Sequence, residues 1–453
     1  MKTKEVIEAE KQDGILFDPI RNTGKNFYIS VSILGAIAIL GIIAYITQYR
    51  TGLGVTGLSR QIFWGIYITN FVFFIGISHA GTLISAILRI CKAEWRRPIT
   101  RAAETITVLV LFFGVGSILI DLGRPDRMIN IIRYANFSSP LLWDVTCVAI
   151  YLTTSCIYLY VALIPDIALL RDGGSNKLKW LYQILALGWT GTKRQHKRLN
   201  IAIGICAIAV IPIAISVHTV VSFVFAMTIQ PMWHSALFGI YFVAGAIFSG
   251  VAALIVVMAL IRKYFHLENY LKPIHFNNLG ILLLVMALFW LYFTFSEYLS
   301  TFYGSEPSHM TIFWYKLTGE FAPYFWAMFV CCFVIPFPLL AYNRTRNSVL
   351  WPTIASIFVI IGMWLERYVI IVPTLTYQRL ETGLTLYFPT WVEWSILAGC
   401  ASLFMLLYIV FSKLFPIISI WEIREGREKK RAEVIGWVDS QLPGKGAELE
   451  KEL

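Results

Sequence analysis

The chain alternates between long apolar stretches and short polar connections. Runs of about 20 or more apolar residues, the length an α-helix needs to cross a hydrocarbon core, occupy 27–48, 62–90, 99–120, 141–165, 200–228, 233–262, 275–303, 323–342, 349–372 and 391–413. None shows the short alternation of a barrel strand, and backbone polar groups in lipid must be satisfied within their own element. The pattern predicts an all-α integral membrane protein with about ten transmembrane helices.

The polar connections suggest an orientation. Of 38 Lys and Arg, 30 fall in the N-terminal segment, the C-terminal tail and one alternate set of loops, which by the positive-inside rule puts both termini in the cytoplasm. Segment 1–26 mixes both charges and has no signal-like apolar core, so no cleavable leader is expected. In the connection from Asp166 to Leu199, the apolar side chains Leu178, Leu181, Ile184 and Leu185 lie beside Lys177 and Lys179, the makings of an interfacial helix. The tail 414–453, with Arg424-Glu425-Gly426-Arg427-Glu428-Lys429-Lys430-Arg431, reads as a solvated extension or a surface for headgroups or a partner.

Composition agrees with the pattern. Hydrophobic residues make up 57% and charged residues 14%, against about a quarter charged in a soluble domain. The net charge of +11 suits anionic lipid headgroups. Its carriers are scattered through loops without interleaved aromatics, so nucleic-acid binding is not expected. Seven cysteines without a CxxC pair give no spacing for zinc, an iron-sulfur cluster or covalently attached haem.

A repeat divides the chain. Gly65-Ile66-Tyr67 and Gly76 recur as Gly239-Ile240-Tyr241 and Gly250, and Pro140-Leu141-Leu142-Trp143 parallels Pro323-Tyr324-Phe325-Trp326. The expected organisation is two tandem four-helix bundles, 62–228 and 233–372, flanked by helices 27–48 and 391–413. An even number of helices separates matching positions, so the repeats are parallel. His79 and Asp144 of the first copy correspond to Ala253 and Ala327 of the second.

Ionisable groups at membrane depth are costly and mark candidate sites. The first bundle carries His79 within its first helix, Asp121 at the end of its second, Asp144 in the first turn of its third, and Arg124 where Gly123 and Pro125 end a helix. A quinol loses two protons with its two electrons, and imidazole and carboxylate can accept them. His79 would take a proton from one ring oxygen, and the acids would relay it outwards with Arg124 holding a carboxylate ionised. The plainer readings are an interhelical hydrogen bond for His79, a helix-dipole partner for Asp144 and an i,i+3 ion pair for Asp121 and Arg124. His218, Glu297, Glu366 and Arg367 form a second set, a candidate proton path, with Glu366–Arg367 also readable as a structural pair. His218 and His234, on the fifth and sixth helices, are the imidazoles a b-type haem would need, but no two histidines share a helix at the spacing that stacks two haems.

Several stretches resemble the NrfD/polysulfide reductase C-type family of membrane subunits, most closely the quinol-binding subunit of alternative complex III. They are Phe63-Trp64-Gly65-Ile66-Tyr67-Ile68-Thr69-Asn70, Gly76-Ile77-Ser78-His79-Ala80-Gly81-Thr82, the segment from Glu94-Trp95-Arg96-Arg97-Pro98 to Glu104, Leu122-Gly123-Arg124-Pro125, Ser139-Pro140-Leu141-Leu142-Trp143-Asp144, Ser216-Val217-His218 and 241–250. The resemblance implies a quinol site (menaquinol or ubiquinol) in the first bundle near the outer surface, at His79, Asp121 and Asp144 with Arg124 beside them. It also implies an adjacent iron-sulfur subunit that accepts the electrons, a second NrfD-like membrane protein, subunits of the cytochrome c type, and residence in the inner membrane of a prokaryote. It adds no haem or iron-sulfur cluster within this chain. The connection from Asp121 to Asp144 is shorter than in the large members of the family.

Two function classes fit the sequence: a quinol-oxidising subunit with possible proton translocation, and a proton-conducting or transporter-like module without redox chemistry. Transport sites usually lie near the midplane of a repeat interface, whereas most of these candidates lie near helix ends.

Overall fold

The computed structural model describes residues 23–173, 178–377 and 386–442, with Gly14, Leu16, Phe17 and Ile20 before them. The described residues form helices and turns without a strand. Helix α1 (Lys25–Thr51) is followed by α2 (Ile66–His79), which runs through a π-helical turn (Ala80–Ile84) into α3 (Ser85–Ile90). Then come α4 (Thr100–Asp121), α5 (Pro140–Asp172), the short α6 (Lys179–Leu185) and α7 (Lys193–Ala226). The second half holds α8 (Phe238–Tyr264), α9 (Pro273–Gly304), α10 (Pro307–Leu317), α11 (Ala322–Phe329) leading by a π turn into α12 (Pro336–Ala341), and α13 (Leu350–Leu375). Helices α14 (Trp391–Leu414) and α15 (Ile420–Gln441) complete it.

Among the described residues, nine helices are long and apolar enough to cross a membrane, counting α11 to α12 as one. The tenth apolar run is the interrupted helix α2–α3, whose first part alone is 14 residues. The molecule is a multi-pass, all-α membrane protein.

Burial separates a central layer from a lipid-facing shell. Every residue of α2 is buried, and α2 packs against α4, α8 and α13, while α5 packs along α7. Helices α1 and α14, far apart in sequence, pack along each other in space. A Cβ on Gly41 would lie 2.7 Å from Gly399 Cα, so the two backbones meet at a pair of glycines, the small-residue contact by which membrane helices approach closely.

The connection between α5 and α7 carries α6, whose Ile184 is exposed and whose Tyr182 is buried, in keeping with a helix lying on the surface. Lys177 of that segment lies outside the described residues.

The charge run of the tail reads as a solvated extension, but the first turn of α15 is anchored. Ile420, Trp421 and Glu422 are buried. Glu422 binds Arg89, and its Oε2 lies 3.0 Å from Arg96 Nη1. The Trp421 amide donates to Asp166 Oδ1 at 3.1 Å and its indole N–H to the Ala162 carbonyl at 3.0 Å. The buried anchoring residues stand just before the charge run, and Glu425 within the run pairs with Arg97 at 3.3 Å. Glu94, outside the spans and mostly exposed, is held below the usual carboxylate range by its hydrogen bond to Arg97.

Candidate functional site

The π turn begins directly after His79, and such bulges often occur at functional positions. His79 is fully buried. Its Nδ1 lies 2.8 Å from the Ile75 carbonyl one turn back, and its Nε2 lies 2.6 Å from the Ala214 carbonyl of α7. A neutral imidazole carries one N–H, so it can donate to only one of these two acceptors. Its ring centroid is 4.1 Å from that of His218 and 5.2 Å from that of Tyr151.

His218 is equally buried, but neither ring nitrogen has a hydrogen-bond partner among the described residues. Gly76, one turn from His79 on α2, makes room for it: a Cβ there would lie 3.2 Å from Ser249 Oγ and 4.0 Å from His218 Nε2. Buried polar atoms are ordinarily satisfied, so an imidazole with two idle nitrogens marks a place where a ligand or water belongs. His234 stands in the turn before α8 rather than within it, stacked at 5.5 Å on His309. The two imidazoles considered for haem therefore lie on different partners, and His218 faces His79 instead.

The two acids stand at helix ends, Asp144 in the first turn of α5, which also carries Tyr151, and Asp121 at the end of α4. Asp144, 5% exposed, shares a buried stripe of α5 with Val148, Tyr151, Ser155 and Tyr158, so it stands two turns, about 10 Å, from Tyr151 by helical rise. Its Oδ1 has no partner among the described residues, and neither has Asp121 Oδ1. Thr107 Oγ1 donates to the Ser78 carbonyl at 2.7 Å, which sets α4 in register with His79. Asp121 lies 14 residues further along α4, roughly 20 Å away by helical rise. His79 and Asp121 are thus not brought together. Arg124 is exposed and its ion pair is with Asp126 at 3.8 Å, not with Asp121, because Gly123 at φ +62° turns the chain out of the helix.

Around the Asp121 end the structure adds groups that the sequence did not single out. Gln48 donates to the Ile120 carbonyl at 2.9 Å and accepts from Tyr67 at 2.5 Å. Glu393 is fully buried, accepts from the Gly57 amide at 2.7 Å and binds the Tyr387 hydroxyl. Tyr387 in turn accepts from the Ile66 amide at 3.0 Å, and a Cβ on Gly65 would meet its hydroxyl at 2.3 Å. The sequence signal was the capping box Thr390-Trp391-Val392-Glu393; the reach to Gly57 is tertiary.

The second set also clusters. Arg367 Nη1 lies 3.0 Å from Glu366 Oε2, and the guanidinium sits 4.8 Å over the Phe242 ring. Trp290 Nε1 donates to Glu366 Oε1 at 2.6 Å. Glu366, Tyr241, Glu297 and Lys316 line one small cavity, and Glu297 accepts from Ser235. No group of three or more His, Cys, Asp or Glu is placed to hold a metal ion among the described residues.

A family model described as polysulphide reductase, NrfD, matches residues 54–378. The chain is 24% identical over 411 residues to a selenate reductase subunit of Mesobacillus selenatarsenatis, covering 87% of this chain and 95% of that one. It is 22% identical over 417 residues to the Hdr-like menaquinol oxidoreductase integral membrane subunit of Archaeoglobus fulgidus, covering 89% and 96%. It is 27% identical over 235 residues to a putative dimethyl sulfoxide reductase membrane subunit of Halobacterium salinarum, and there the match spans 52% of each chain.

Proposed function

The chain belongs to the NrfD family of polysulphide reductase membrane proteins, and on that premise we propose that it binds and oxidises quinol within a multi-subunit oxidoreductase. Three relatives carry names of subunits of selenate reductase, menaquinol oxidoreductase and dimethyl sulfoxide reductase. The observation that carries the proposal is the buried His79–His218 pair beside Tyr151, at the start of a helix break.

Quinol oxidation releases two protons and two electrons, and this chain's part is the protons and the geometry. Neutral His218 offers its one lone-pair nitrogen, which has no other partner among the described residues, to accept from a ring hydroxyl. His79 can do so by exchanging the Ala214 carbonyl for that hydroxyl. Asp144, on the Tyr151 stripe of α5, and Asp121, beside the Tyr67–Gln48 cluster, take protons towards the outer face. The electrons pass one at a time to an iron-sulfur subunit docked at that end, as in an alternative complex III type assembly with a second NrfD-like protein and subunits of the cytochrome c type. The helices divide for this work into a first bundle with the quinol site and a second bundle. The chain resides in a prokaryotic inner membrane with both termini cytoplasmic.

The test is quinol oxidation by the purified assembly carrying His79→Ala or Asp144→Asn, with its iron-sulfur partner shown to be retained. A fall of about tenfold or more supports the site, and full activity in both variants overturns it. A second reading, proton conduction without redox chemistry, is favoured by the Glu366–Arg367–Trp290 cluster and the cavity joining Glu366 to Glu297. Proton uptake into proteoliposomes that persists without quinol and is lost in Glu366→Gln would promote it.

A further inference from the structure

At the end of the bundle remote from Asp121 and Asp144, a second group of polar side chains meets inside an apolar interior. Glu104 on α4 is 2% exposed. Its Oε1 accepts from Ser85 Oγ at 2.8 Å, and that hydroxyl lies 3.0 Å from the Tyr158 hydroxyl of α5. Glu104 Oε2 has no hydrogen-bond partner among the described residues, nor has Ser155 Oγ one turn along the Tyr158 stripe.

The charges that surround Glu104 are engaged elsewhere. Arg101, one turn before it, pairs with Asp166 at 3.0 Å. Arg89, one turn after Ser85, is bound to Glu422 of the tail helix. Among the described residues neither arginine forms an ion pair with Glu104. If Glu104 served only to join helices, a glutamine would satisfy Ser85 without the cost of burying an acid. A buried carboxyl with one oxygen free and the other held by the Ser85 hydroxyl, which the Tyr158 hydroxyl contacts in turn, is built to take up and release a proton.

We propose that Glu104, with Ser85 and Tyr158, is a proton-holding site that exchanges with water at the face carrying α15, and that the Arg89–Glu422 pair closes its entrance. The step is transfer of a proton from water to the carboxylate and back; nothing is oxidised or reduced. Beyond the site, Ser155 and Tyr151 continue the same stripe of α5, and the Tyr151 hydroxyl donates to the Ser78 carbonyl at 3.1 Å beside His79. The site thus stands at the opposite end of a polar stripe from Asp144. The inference rests on the membrane fold and not on the quinol reading.

Infrared difference spectra of the intact assembly, recorded without quinol on transfer from H2O to D2O, test it. A carboxylic acid C=O band should shift in D2O, disappear in Glu104→Gln, and move in frequency in Ser85→Ala, which removes the hydroxyl donor. Glu422→Gln should speed the exchange several-fold by loosening the Arg89 contact. If no exchangeable carboxylic band is lost in Glu104→Gln, or if that variant fails to assemble and Ser85→Ala leaves every exchangeable band unmoved, the proposal is overturned. An exchange rate unchanged in Glu422→Gln overturns the entrance assignment. Because no quinol is present, a failure here is distinct from a failure of the quinol site.

Discussion

The rings of His79 and His218 meet edge to face, 4.1 Å apart at 69°, yet their hydrogen bonding is opposite. His79 has both nitrogens against carbonyls, and His218 has neither nitrogen engaged among the described residues. One imidazole is positioned by backbone carbonyls, and the other has both ring nitrogens available to a ligand or water.

His218→Phe tests that contrast. The ring shape is kept and two unsatisfied polar atoms are removed, so thermal stability should stay level or rise by about 1 kcal/mol. Quinol oxidation should fall by about tenfold or more if His218 receives a quinol proton. Equal activity in an assembled variant would remove His218 from the site.

Gly81 lies in the π turn against α4, where a Cβ would sit 1.9 Å from the Ala103 carbonyl oxygen and 2.0 Å from Thr107 Oγ1. Gly81→Ala should therefore force α2 and α4 apart, costing about 1–3 kcal/mol or more. Gly35 has nothing within 4 Å of an added Cβ, so Gly35→Ala should be close to neutral. Thermal melting of both variants in detergent checks the contrast.

Glu422 sits between Arg89 and Arg96 with 3% of its side chain exposed. Glu422→Ala leaves two arginines without their carboxylate, and removing one member of a buried pair costs about 3–5 kcal/mol; the partly exposed arginines bring the expectation to the lower end. Limited proteolysis should cut α15 faster in this variant while the spans stay intact.

Lys316 on α10, outside the spanning helices, is almost wholly buried, and burial pulls its ammonium down to about 8, partly offset by Glu297. Its folded value lies below the unfolded one, so the folded state binds fewer protons between them. Stability should rise as pH goes from 8 to about 10.5, by on the order of 1–3 kcal/mol. Lys316→Met should flatten that rise in pH-dependent melting curves and stabilise the protein at pH 7.

The one-dimensional pattern determined the helical, membrane-spanning nature of the chain and the approximate places of its apolar runs, because crossing a hydrocarbon layer with all backbone groups satisfied requires a set length of apolar helix; it did not show that the run at 62–90 breaks at a π turn. It also marked His79, Asp121 and Asp144, since an ionisable group within an apolar run stands out whatever surrounds it. What it could not give is the direction in which each group faces. That depends on helix rotation and register, set by side-chain packing between segments far apart in sequence: Gly76 making room beside His218, Thr107 reaching Ser78. Only the tertiary structure therefore paired His79 with His218, separated it from Asp121, turned Arg124 outwards, and drew Glu422 of a charged tail onto Arg89 of α3 and Arg96 beyond it.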